Sequence, residues 1–313
     1  MSVADPRSRL AERITTHEID VVAPYRLDLT VSALRRMATN VVDVYTADGR
    51  YLRAFQGAAD PVVVEVTQPR PDALAVTVTG GPGDTDRAVA NVRRMLGTER
   101  DITSFHRRAG GIPWLAPLAR RMRGLRPPRY PELFESFASA IVFQQLSLHA
   151  ASAIMHRLVI ETGTPVDHGG VPLAIFPSAA AFLEADEARL RSTGLSAAKR
   201  ATLRRVAEAI VAGAISETLL DERSSTEAGS LLRGIKGIGP WTAALILIRG
   251  LGRLDVFPGN DSSVTANLAL VAGEPVEVGP ALETLGSQRG MLYFCLLLAR
   301  LDARAEIGRV HPG

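Results

Sequence analysis

The chain has 313 residues, 46% of them hydrophobic and 22% charged, with a net charge of +3; this is ordinary globular composition and enough length for two or three domains. No apolar run approaches the roughly 18 residues that a membrane helix needs, and the start Met1-Ser2-Val3-Ala4-Asp5-Pro6-Arg7 has no signal-type apolar stretch, so a cytoplasmic protein is expected. One cysteine, Cys295, excludes an internal disulfide, a thiolate zinc site and a four-cysteine iron–sulfur cluster; within Tyr293-Phe294-Cys295-Leu296-Leu297 it reads as a packing thiol.

The predicted elements change character along the chain. Residues 17–80 alternate in the manner of half-buried strands, as in Glu18-Ile19-Asp20-Val21-Val22, Val62-Val63-Val64-Glu65-Val66 and Ala73-Leu74-Ala75-Val76-Thr77-Val78-Thr79. Asp48-Gly49, between two apolar runs, predicts a hairpin turn, and short helices are expected over 29–37 and 84–96. This part reads as an α+β domain with an antiparallel sheet, over residues 1–108.

From about Gly110 the period becomes helical, so residues 109–313 read as an all-α core of two helical lobes. Helices are expected over 130–145, 148–162, 178–185, 188–192, 197–212, 216–220, 226–233, 242–249, 262–271, 279–285 and 289–301, with 164–176 as a surface loop. All but two of the 36 basic residues, Lys199 and Lys236, are arginine, and Arg120, Arg121, Arg123, Arg126 and Arg129 cluster; taken alone the cluster reads as a solvated basic face.

The most informative stretch is Leu231-Leu232-Arg233-Gly234-Ile235-Lys236-Gly237-Ile238-Gly239-Pro240-Trp241-Thr242-Ala243-Ala244. A helix ends near Arg233, a tight turn uses Gly237 and Gly239, and Pro240 suits the first turn of the next helix. Free N–H groups at that helix start form an anion site, and Ile235 and Ile238 are apolar anchors. Gly-x-Gly before a helix is by itself an ordinary packing corner. The longer pattern, apolar-x-Gly-apolar-Gly-x-x-Thr-Ala, resembles the helix-hairpin-helix motif, which binds a DNA backbone without reading sequence.

Downstream lies Leu254-Asp255-Val256-Phe257-Pro258-Gly259-Asn260-Asp261-Ser262. Hairpin, helix, Gly/Pro loop and aspartate together resemble the helix-hairpin-helix/Gly-Pro-Asp superfamily of base-excision DNA glycosylases. By motif position the resemblance makes Asp261 the catalytic carboxylate, with Asp255 the weaker candidate. Cleaving an N-glycosidic bond builds positive charge on the sugar. A fixed carboxylate stabilises that charge and orients or deprotonates the attacking water. Standing alone, Asp261 reads first as the N-cap of the next helix; the hairpin upstream turns the reading to catalysis. Bifunctional members carry a lysine two residues after the second hairpin glycine; that slot here is Trp241, which implies hydrolysis without lyase chemistry.

Phe134-Glu135-Ser136-Phe137-Ala138-Ser139-Ala140-Ile141-Val142-Phe143-Gln144-Gln145-Leu146-Ser147 is similar to the helix-to-loop segment of the 3-methyladenine DNA glycosylase II branch. The resemblance implies that Gln145 wedges into the duplex, with Gln144 and Leu146 beside it. Lys236, Gly237, Ile238, Gly239 and Thr242 would contact the DNA backbone. Gly194-Leu195-Ser196-Ala197-Ala198-Lys199-Arg200 and Pro24-Tyr25-Arg26-Leu27-Asp28-Leu29 extend the resemblance, which covers nearly the whole chain from about residue 17. Departures concern the pocket: Phe143 stands where glycine is usual before the glutamines, and Leu245 where an aromatic is common. Trp241 and Tyr25 are candidates to line a base pocket, and Tyr293 either lines it or packs.

The implied activity is monofunctional excision of alkylated purines such as 3-methyladenine from double-stranded DNA by a monomer. Rival readings are a glycosylase for uracil or an oxidised purine, and a non-catalytic hairpin protein that only binds DNA. No cofactor and no metal are expected, because His106, His149, His156 and His168 lack ligand spacing.

Overall fold

The computed structural model describes residues 13–81, 83–259 and 262–311. The chain opens with β1 (Arg13–Asp20), α1 (Leu27–Arg35), β2 (Val44–Tyr45), β3 (Tyr51–Phe55), β4 (Val62–Arg70), β5 (Ala73–Gly80) and α2 (Thr85–Leu96). The strands form one antiparallel sheet in the order β1-β5-β4-β3-β2. Tyr45 pairs with Tyr51, which puts Asp48-Gly49 in the connecting turn, with Gly49 at φ +80°. The period-2 pattern carries Leu74, Val76 and Val78 to one face, where α2 lays Ala88, Val92, Met95 and Leu96 on them. Each such side chain contributes about 1.5–3 kcal/mol on burial, so this sheet and helix hold a core of their own.

The helices that follow are α3 (Thr103–Ala109), α4 (Ala116–Arg121), α5 (Leu133–Val142), α6 (Leu148–Thr162), α7 (Ala179–Glu184), α8 (Glu187–Ser192), α9 (Ala197–Val211), α10 (Glu217–Asp221), α11 (Ser225–Arg233), α12 (Pro240–Arg249), α13 (Ser262–Ala272), α14 (Gly279–Leu285) and α15 (Gly290–Asp302). One apolar core gathers α3, α4 and α14 around α15, joined by Leu29 and Ala33 of α1. The other joins α5, α9, α11 and α12. Phe143, Val256 and Tyr293 touch both cores and line the seam between them. No helix of the described residues is long and apolar enough to cross a membrane.

Three local readings are corrected. Residues 164–176 are not a loop: β6 (Thr164–His168) and β7 (Val171–Ile175) pair as a hairpin. Gly169 and Gly170, at φ +60° and +82°, supply the two left-handed residues that a two-residue turn needs. Leu173 and Ile175 then cover Val44, Leu52, Ala54 and Val63, closing the sheet face that α2 leaves open. Helix α5 starts at Leu133 rather than at 130, because the residue before Pro131 is disfavoured in helical geometry and Glu132 is extended. The Tyr130 N–H instead donates to Arg249 O at 2.7 Å. Helices α3 and α4 were absent from the expected set; both are under two turns, too short for a period to show.

Two buried arginines tie the sheet unit to the helices. Arg53 of β3 donates to Asp43 at 2.7 Å and to Glu135 of α5 at 2.5 Å. Arg249, the last residue of α12, donates to Ala33 O and Leu34 O at 2.8 and 2.9 Å, satisfying carbonyls that the end of α1 leaves open. Arg53 is desolvated between its two carboxylates, so removing one would leave buried charge uncompensated at a cost of roughly 3–5 kcal/mol.

Candidate active site

The hairpin between α11 and α12 is built as its residue types require. Ser224 accepts from the Glu227 N–H while the Glu227 carboxylate accepts from the Ser224 N–H, a reciprocal cap that starts α11. Ile238 is buried and Ile235 half-buried, pinning the turn to the helices. Gly237 sits at φ +102°, and a Cβ there would lie 2.1 Å from Thr202 Oγ1, so only glycine fits. Gly239 caps α12 in extended geometry, and among the described residues beyond its chain neighbours no atom lies within 4 Å of where its Cβ would be. Among the described residues no side chain caps α12, and Pro240 removes one donor, so the remaining first-turn N–H groups of this ten-residue helix are left without a side-chain cap.

The glutamine loop is braced against this hairpin. Gln144 Nε2 donates to Thr242 Oγ1 at 2.7 Å and to Gly237 O at 3.2 Å. Lys199 Nζ donates to Val142 O and Gln144 O at 2.9 and 2.8 Å, closing the C-terminal end of α5. Burial lowers the Lys199 pKa. Gln145 is held at φ +53° and is exposed, with Leu146 exposed beside it. A left-handed glutamine costs about 1–2 kcal/mol relative to glycine, and here the surrounding braces hold it.

A cleft of about 860 Å³ opens along the seam between the lobes. Gln144, Gln145, Leu146, Gly237, Gly239 and Thr242 form its rim, and Trp241 and Tyr293 are half-buried in its wall. Lys236 and Ile238 complete the hairpin outside the lining; Lys236 is exposed, and its carbonyl accepts from Arg205 at 3.1 Å. Tyr25 does not join the cleft. It is buried in the core of the sheet unit, where its hydroxyl donates to Leu96 O at 2.9 Å and burial pushes the phenol's pKa up. Asp255 is exposed and accepts from Ser225 Oγ at 2.9 Å. Asp261 lies outside the described residues, directly before α13 in sequence. Cys295 is buried, its thiol pushed up to about 12 by desolvation, which fits a packing role.

One cleft residue carries no signal in the sequence. Arg36 follows α1 with φ +66° and ψ −54°, and the Met37 N–H donates to Arg35 O at 2.8 Å. This is a γ-turn of the rarer, strained hand. It swings Arg36 out of the sheet unit into the cleft wall, where its guanidinium lies 3.9 Å from the Phe143 ring centroid and donates to Tyr293 Oη at 3.3 Å. Its position depends on how α1 docks on α15, which no local pattern encodes.

Comparison with known proteins places this arrangement. Residues 138–273 match the model of the HhH-GPD superfamily base excision DNA repair protein, spanning α5 to α13. The chain is 32% identical over 217 residues to the probable bifunctional transcriptional activator/DNA repair enzyme AlkA of Mycobacterium tuberculosis; the match covers 68% of this chain and 42% of that protein, so the chain spans under half of that relative. The solved 3-methyladenine DNA-glycosylase from Archaeoglobus fulgidus superposes with a TM-score of 0.78 at 26% identity, covering 91% of this chain and 99% of that one, sheet unit included. The Schizosaccharomyces pombe 3-methyladenine DNA glycosylase Mag1, solved in complex with abasic DNA, superposes with a TM-score of 0.53 at 27% identity over 63% of this chain and 96% of its own.

Proposed function

We propose, from the chain's membership of the HhH-GPD superfamily, that it is a monofunctional DNA glycosylase acting on alkylated purines such as 3-methyladenine in double-stranded DNA. The observation that carries the reading is the cleft itself. One opening joins an uncapped helix start on a glycine hairpin, an exposed glutamine held left-handed, and a wall with Trp241. The N–H groups at Gly239–Trp241 would hold a backbone phosphate, with Lys236 nearby adding charge. Gln145 would occupy the gap left in the stack as the damaged nucleotide turns out into the cleft.

In this reading Asp261 faces the sugar of the extruded nucleotide. Its carboxylate stabilises the oxocarbenium-like transition state and takes a proton from the water that attacks C1′. Cationic alkylated bases leave readily, and Trp241 offers a π face for stacking and cation–π attraction. Two residues after the second hairpin glycine stands Trp241, and Lys199 is engaged as the cap of α5; both support hydrolysis without a Schiff base.

The test is base release from methylated duplex DNA by the wild type beside Asp261→Asn, with alkali to reveal abasic sites. Release by the wild type and loss in the variant, with duplex binding retained, is the expected result. Duplex binding without release of any base by either protein would sink the reading and favour a hairpin protein that only binds.

A further inference from the structure

Beside the cleft lies a second, smaller cavity of about 50 Å³, walled by the end of α1, the segment leading to β2, and helices α5 and α6. Arg36 and Phe143 line both spaces, so this stacked pair is the partition between them. Arg35, Asp43, Glu135 and His156 also line the smaller one. Arg35 and Arg36 are 3% and 5% exposed. Each has one nitrogen engaged: Arg35 Nη2 donates to Arg309 O, and Arg36 Nη2 to Tyr293 Oη at 3.3 Å. Arg35 Nη1, Arg36 Nε, Arg36 Nη1 and His156 Nδ1 are buried and have no hydrogen-bond partner among the described residues. All four are nitrogens, and the three guanidinium ones can only donate. The charge is unbalanced as well. Asp43 and Glu135 both pair with Arg53, so even with both ionised the three guanidiniums leave positive charge over. Glu306 also attracts Arg35, but its carboxylate is paired with Arg309 at 2.8 Å. Burial draws the Arg35 pKa down to about 10 and raises that of Glu135 to about 7, which deepens the imbalance.

We infer that this cavity binds one compact monovalent anion of chloride's size, held by Arg35, Arg36 and His156, and that the anion fixes the γ-turn presenting Arg36 to the cleft. Idle donors beside uncompensated positive charge call for an acceptor that is itself charged. Two guanidiniums repel a cation. Water would satisfy the donors and leave the charge unbalanced. One water takes on the order of 10–15 Å³ of such space, so the cavity has room for a small ion and none for a nucleotide or a sugar. Both arginines sit where α1 breaks into the γ-turn, so an anion between them and His156 of α6 ties that turn to the helical lobe. The inference concerns the DNA-free chain and does not depend on the glycosylase reading.

The probes are bromide and chloride. Wild-type crystals soaked in sodium bromide are expected to show an anomalous peak in the cavity, within hydrogen-bonding reach of the Arg35 and Arg36 guanidiniums. In solution, sodium chloride replaces sodium gluconate, whose anion is too large for the cavity, at fixed ionic strength. The melting temperature should then rise and saturate; a hundredfold excess over Kd is worth about 2.7 kcal/mol, or roughly 5 °C for a chain of this size. Arg36→Met should abolish the saturating rise. Ser152→Leu, which fills the cavity from α6 with both arginines intact, should do the same. A wild-type melt indifferent to chloride overturns the proposal, as does a rise that persists in full in both variants. Ordered water alone in the cavity, or bromide peaks confined to the outer surface (an adventitious ion only), overturns it too, and that diffraction result decides the matter if either variant fails to fold.

Discussion

Replacing Gly237 with alanine would place a methyl carbon 2.1 Å from Thr202 Oγ1, 2.8 Å from its Cγ2 and 3.0 Å from its Cβ. Rotating Thr202 cannot clear the space, because both branches and the branching carbon crowd it, and Oγ1 is held by Ala198 O at 3.0 Å. Either α9 or the hairpin must move. Positive φ costs an alanine about 1–2 kcal/mol and overpacking about 1–3 kcal/mol, together roughly 2–5 kcal/mol. At roughly 2 °C per kcal/mol for a chain of this size, the melting temperature should fall by about 4–10 °C. Adding Thr202→Ala removes Oγ1 and Cγ2, and should recover the overpacking share while leaving the φ share, a non-additivity that a double-mutant cycle reads. Gly239→Ala is the contrast. Among the described residues beyond its chain neighbours nothing lies within 4 Å of that Cβ, so stability should change by less than about 1 kcal/mol, while duplex affinity falls because the methyl blocks the uncapped helix start. Thermal melts and duplex titrations at two salt concentrations measure both. A Gly237→Ala melt within 2 °C of wild type (about 1 kcal/mol), or no recovery from Thr202→Ala, would refute the packing argument.

Gln145→Gly relieves a left-handed φ, so the melting temperature should hold or rise, by up to about 1 kcal/mol in stability, while base release falls roughly tenfold or more if the side chain is the wedge. Equal release by variant and wild type would remove Gln145 from that role. Glu135 is buried against Arg53 and Asp43, and desolvation raises it to about 7, above the ordinary 4.5. The folded chain therefore keeps a proton that the unfolded chain releases, so this contribution is complete below pH 4.5 and is lost as pH rises through about 7. Glu135→Gln should flatten the decline in urea midpoint across that window by an amount on the order of 1–3 kcal/mol, and an unchanged slope would count against it.

The hairpin was legible because its physics is local. Gly237, Gly239, Pro240 and the flanking isoleucines act over a dozen residues, and each has one structural use in a tight turn before a helix. The sheet unit and the order of the main helices were legible for the same reason, through periods of two and of about 3.6. The β6–β7 hairpin carried a signal, Gly169-Gly170 ahead of the apolar run Val171-Pro172-Leu173-Ala174-Ile175, that its prolines and glycines disguised as a loop. The candidacy of Asp261 rests on motif position, since it lies outside the described residues.

Tyr25 and Arg36 show where local reading stops. Both come from the sheet unit and neither belongs to a motif. Tyr25 was a candidate for the pocket because it is aromatic and lies in a segment resembling the family, yet the packing of the sheet unit turns it into that unit's own core. Arg36 was invisible because nothing within a few residues tells a surface arginine from one that a γ-turn drives between Phe143 and Tyr293. Sequence alone determined which backbone segments can turn, cap and present donors, since those depend on neighbours along the chain. The tertiary structure decided which side chains share the cleft, because burial and charge pairing depend on groups more than a hundred residues apart; Arg36 and Tyr293 are 257 positions apart.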